Sequence, residues 1–66
     1  MDSLFPNLQA VMKQRGVSIK NLAEVIGHSE EIVHLKMRGV REWTLKEALE
    51  IARYLQYPDF KTLFLR

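Results

Sequence analysis

The sequence predicts a single small all-α domain of five short helices, and three features predict it. Apolar residues recur at helical spacing in every segment, without the four-residue alternation that a half-buried strand requires. Capping residues and glycines punctuate the chain, so that each helical run has both a start and a stop. The 66 residues suffice for one core and not two, and neither linker, repeat nor low-complexity stretch interrupts residues 1–66.

The first helix is expected from Pro6 or Asn7 to Arg15. Either Ser3 caps it, with Pro6 tolerated in the first turn, or Asn7 caps a later start. Phe5, Leu8, Val11 and Met12 share a face, and Gly16 supplies the left-handed stop. A second helix, capped by Ser18, buries Leu22, Ala23 and Ile26 and ends at Gly27. Ser29 caps a third, running from Glu30 to about Arg38, with Val33 facing the core and Gly39 ending it. Thr44-Leu45-Lys46-Glu47 is a capping box, in which hydroxyl and carboxylate each satisfy an orphan backbone amide. It opens a fourth helix whose expected apolar stripe is Leu45, Ala48, Leu49, Ala52 and Leu55. Tyr57-Pro58 ends it, Asp59 caps a short fifth, and Phe60, Leu63 and Phe64 pin that helix to the core. Trp43 precedes the Thr44 cap, where a buried ring can staple against Ala48 and fix the entry into the fourth helix.

Composition narrows the function. No apolar run approaches the roughly 20 residues of a membrane span. The start has no basic region ahead of Leu4-Phe5, so no signal peptide is expected, and the absence of cysteine fits the expected cytoplasmic location. Without cysteine there is neither a disulfide nor a thiolate zinc site. His28 and His34, six residues apart, do not share a helix face and have no further ligand beside them. Neither metal nor cofactor is expected. Serines and histidines occur without an oriented third group or an oxyanion turn, so the chain does not read as an enzyme. Ten Lys/Arg against eight Asp/Glu give a net charge of only +2, so placement of charge must decide the partner.

The connection between the second and third helices is only Gly27-His28-Ser29, and so short a turn forces a sharp crossing. Ala23 is small where the helices cross. Such a pair, a helix-turn-helix, can present its second helix to a DNA major groove about 12 Å wide.

The matching residues extend well beyond the turn. Pro6-Asn7-Leu8, Arg15-Gly16-Val17-Ser18, Lys20-Asn21-Leu22-Ala23 and Ile26-Gly27 resemble the first two helices of the Cro/repressor-type (XRE-like, lambda-repressor-like) helix-turn-helix family. Ser29-Glu30 and Gly39, then Arg41-Glu42-Trp43-Thr44-Leu45, resemble its third helix and the entry to its fourth, and Leu63-Phe64 its closing segment. The resemblance implies a compact five-helix lambda-repressor-like DNA-binding domain acting as a transcriptional regulator in bacteria or their phages, often as a dimer. It places Glu30, Glu31, Ile32, His34 and Leu35 at or near the base edges. Ser18, Ile19, Lys20, Ser29, Lys36, Arg38 and Arg41 fall where phosphates would be gripped.

Several positions depart from the family. Ile19 replaces a usual phosphate-binding Gln, leaving its backbone amide and the helix dipole for that task. His28 stands where an apolar residue is usual, and Val40 where Lys is common. Arg38 and Arg41, flanking Gly39, compensate, because phosphates reward positive charge at almost any nearby site. Glu30 and Glu31 either accept hydrogen bonds, for instance from cytosine N4, or simply favour a helix N-terminus. Met12 and Met37 replace a buried Arg–Glu pair of many relatives and are expected to be buried in contact.

The expected partner is double-stranded DNA, read by the third helix from two half-sites about 34 Å apart. With the chain ending just after the fifth helix, a homodimer contact would come from Tyr54, Tyr57, Phe60, Phe64 and Leu65. The alternative is a protein-interaction module that keeps the fold and has lost DNA affinity. Glu30-Glu31, Ile19, Val40 and an apolar Ile32/Leu35 edge speak for it.

Overall fold

Local chemistry sets each helix boundary in the computed structural model, which describes residues 4–66. The helices are α1 (Pro6–Arg15), α2 (Ile19–Ile26), α3 (Glu30–Met37), α4 (Leu45–Tyr54) and α5 (Phe60–Leu63), with no strand among the described residues. Ser18, Ser29, Thr44 and Asp59 cap α2 to α5, each accepting a backbone N–H with its side-chain oxygen. At Ser18 the bond is reciprocal, since Asn21 Oδ1 accepts the Ser18 amide at 2.9 Å. α1 differs: Pro6 occupies its first turn and Phe5 precedes it without a side-chain cap. Asn7 therefore does not cap α1. Its Nδ2 instead donates to the Thr62 carbonyl at 2.9 Å and ties α1 to α5. The other expected cap, Ser3, lies outside the described residues.

Gly16 and Gly27 close α1 and α2 in the left-handed conformation, at φ of 66° and 74°. At Gly27 the backbone turns so tightly that the Gly27 and His28 amides both donate to the Ala23 carbonyl. That turn directs α3 away from α2 after three residues.

One cluster of buried residues holds the helices together. Leu8, Leu22, Val33, Met37, Ile51, Leu55 and Leu63 are fully enclosed, each side chain stabilising the fold by about 1.5–3 kcal/mol. α2 packs on α3 and α4, and α5 closes the far side against α1 and α4. Met12 and Met37 are both buried in this cluster.

α4 lies in a different phase from the expected stripe. Leu45 and Leu49 are 64% and 47% exposed, while Glu47, Ala48, Ile51, Ala52 and Leu55 form the buried face. Both stripes share Ala48, Ala52 and Leu55, so helical spacing alone fits either one. Packing against α2 selects the one that encloses Ile51 completely.

Trp43 is partly buried rather than engulfed. Its ring meets Phe5 and Phe64 edge to face, with centroids 6.4 and 5.3 Å away, and helps fix the entry into α4. Its Nε1 is buried and, among the described residues, has no hydrogen-bond partner.

Candidate nucleic-acid interface

The surface that α3 presents begins at its N-terminus. The Ser29 hydroxyl accepts the Ile32 amide at 3.3 Å, which starts the helix immediately after the turn. Glu30 and Glu31 then project as exposed first-turn carboxylates, where the helix dipole favours negative charge. Ile32, His34 and Leu35 are half-buried, so part of each remains on the surface. Arg38 and Arg41 follow the helix, both exposed and, among the described residues, without an ion pair. Val40 between them is 64% exposed. The Leu4 amide donates to the Met37 carbonyl at 3.0 Å, anchoring the end of α3 to the segment before α1.

At the start of α2, Ser18 and Lys20 are exposed. Ile19 lies between them with its side chain packed on the core, leaving its main chain at the helix N-terminus.

Lys36 is not available to a phosphate. Its side chain is 7% exposed, and its Nζ donates to Glu47 Oε1 at 2.6 Å and to the Glu42 carbonyl at 3.0 Å. The ammonium also lies 5.7 Å from the centre of the Trp43 ring, within cation–π range. The sequence carried a signal for this placement. Val33, Lys36 and Met37 stand at i, i+3 and i+4, so Lys36 falls on the core stripe of α3. Of the cations expected to grip phosphates, Lys20, Arg38 and Arg41 remain on the surface.

Glu47 is the residue whose wider role the sequence concealed. Oε1 accepts the Thr44 amide at 3.0 Å, completing the capping box, and Oε2 lies 3.1 Å from His28 Nε2. One carboxylate thus joins α4, α3 and the α2–α3 turn. Burial pushes its pKa up, but hydrogen bonds from Lys36 and Thr44 and the Lys36 charge outweigh that and hold it below the ordinary glutamate value.

Two helices joined by a three-residue turn, the second fixed at both ends and offering its N-terminal residues outward, define a helix-turn-helix domain. Comparison with known families agrees: residues 7–58 match the Cro/C1-type HTH DNA-binding domain, so the chain belongs to that family. Its all-α arrangement is the lambda-repressor-like five-helix fold. Comparisons with curated proteins and with solved structures find no match. Among the described residues no helix is long and apolar enough to cross a membrane, and no group of three or more His, Cys, Asp or Glu is placed to hold a metal.

Proposed function

We propose that this domain binds double-stranded DNA sequence-specifically, with α3 in the major groove, as a small cytoplasmic transcriptional regulator of a bacterium or phage. The observation that carries this reading is the outward face of α3 beyond the tight turn, with Arg38 and Arg41 at its far end. Family membership supports the same partner. In this reading Glu30, Glu31, Ile32, His34 and Leu35 lie along the base edges. The Ser18 and Ser29 hydroxyls, the Ile19 amide, Lys20, Arg38 and Arg41 grip the flanking phosphates. The exposed carboxylates of Glu30 and Glu31 select cytosine through its N4 donor and disfavour an acceptor at the same place. Residues 1–66 act as one folding unit.

Two copies pair through the α5 region, where exposed Leu65 and Tyr54 flank half-buried Tyr57, Phe60 and Phe64. Leu45, exposed on α4, borders a pocket it shares with Phe60 and Phe64 and enlarges the apolar surface. Two paired copies would read half-sites about one DNA turn, roughly 34 Å, apart.

The inward turn of Lys36 and the exposure of Glu30 and Glu31 favour a second reading, a protein-binding module on the same fold. Selection from a random duplex library, with affinity measured at several salt concentrations, separates the two. Enrichment of one motif, bound more weakly as salt rises, supports DNA binding. Micromolar or weaker, salt-independent association with every duplex overturns it.

A further inference from the structure

Glu47 lies outside the two helices of the motif and yet touches both its turn and its second helix. Its carboxylate divides between them: Oε1 takes the Lys36 ammonium of α3, and Oε2 lies against the His28 imidazole of the turn. α4 itself is fixed against α2 and α5 through Ala48, Ile51, Ala52 and Leu55. The carboxylate is further held by the Thr44 amide, so it is an anchored point rather than a swinging side chain.

We propose that Glu47 is the positioning residue of the DNA-reading unit, setting the angle of α3 through Lys36 and the course of the turn through His28. The proposal rests on the DNA reading for its effect on specificity, and on geometry alone for the hold itself. Apolar packing around the fully buried Val33 and Met37 fixes how deeply α3 sits, and polar contacts add a restraint at chosen points of the motif. The Lys36 hydrogen bond to an anchored carboxylate, and the 3.1 Å contact of that carboxylate with His28, supply that restraint at two separate points of the motif. Lys36 thereby commits its ammonium to an internal contact rather than to a phosphate. Other charged groups nearby in sequence include Glu24 on α2, Glu30 and Glu31 on α3, Glu42 before α4, and Lys46 and Glu50 on α4. None of them forms an ion pair with His28 among the described residues.

The test uses the whole chain and releases only the turn. The His28 side chain is 46% exposed, so His28→Ala leaves the core intact. His28→Gln restores a side-chain N–H that can reach Glu47. Against the duplex selected from the random library, His28→Ala is expected to lose about fivefold or more in specific affinity. Binding to an unrelated duplex should hardly change, and His28→Gln should recover most of the loss. A merely structural role would shift thermal stability and leave the ratio of specific to non-specific binding alone. Amide hydrogen exchange across residues 27–29 reads the hold without DNA: it should quicken in His28→Ala and slow again in His28→Gln. Unchanged affinity ratio with unchanged exchange overturns the proposal. If the wild-type chain selects no duplex, the DNA reading has failed, and exchange alone then decides whether Glu47 holds the turn.

Discussion

Replacing Lys36 with methionine tests how a charge pair is carried by so small a core. The variant removes the 2.6 Å bond to Glu47 and the bond to the Glu42 carbonyl, while keeping an apolar stem of similar length. Glu42 is exposed and water can take over its carbonyl, so the cost falls mainly on Glu47. Removing one partner from a deeply buried pair costs about 3–5 kcal/mol. Here the Cα radius of gyration is 10.3 Å, so solvent is never far, and Glu47 keeps Thr44 and His28. The expected cost is therefore about 2 kcal/mol. For a domain of 66 residues this lowers the melting temperature by about 8–16 °C. Glu47→Gln, which preserves the capping bond to Thr44, should cost about as much by leaving the buried Lys36 ammonium without a counter-charge. The double variant Lys36→Met/Glu47→Gln removes both charges and should lie within about 1 kcal/mol of the wild-type chain. Thermal unfolding of all four proteins at neutral pH completes the cycle. Single variants that melt with the wild type, or a double variant that loses the sum of the two, would refute the reasoning.

Acid should weaken the fold through the same group. Because the Glu47 pKa is lowered on folding from its ordinary 4.5, its contribution is complete above that value and is lost as pH falls through the lower folded value. The melting temperature of the wild type should therefore decline more steeply than that of Glu47→Gln below about pH 4.5, the slope left in the variant including the exposed Asp59 cap, held low by its hydrogen bonds to Thr62. Trp43→Ala, which empties the corner between Phe5 and Phe64, should cost about 3 kcal/mol, whereas Trp43→Phe, which also removes the unpaired Nε1, should cost less than about 1 kcal/mol; calorimetry that ranks them equal would contradict this. Glu31→Gln should raise non-specific DNA affinity by easing repulsion from phosphates and blur discrimination at one base pair by about 1–3 kcal/mol, measured by competition among single-base variants of the selected site. Arg38→Ala should instead weaken all sequences alike and reduce the salt slope by about 1, which titrations at several salt concentrations would read directly.

The sequence alone determined the features that depend on a few adjacent residues. Ser18, Ser29, Thr44 and Asp59 start helices because their side-chain oxygens reach amides two or three residues ahead, and Gly16 and Gly27 stop them because only glycine enters the left-handed region at little cost. The three-residue turn, and with it the helix-turn-helix, follows from those signals, as does the inward face of α1. Only the tertiary structure decided what depends on distant partners. The phase of α4 was ambiguous because Ala48, Ala52 and Leu55 belong to both possible stripes, and enclosure of Ile51 selected one. For Lys36 the sequence showed the core stripe but not the direction of the ammonium. A lysine on a core stripe can turn its ammonium outward along a flexible stem, or inward if an anion waits there. Glu47, eleven residues later and committed by its sequence only to capping α4, is that anion. A buried charge is stable only when paired, and whether a partner lies within 3 Å is fixed by how α3 and α4 meet, which no stretch of either helix encodes alone.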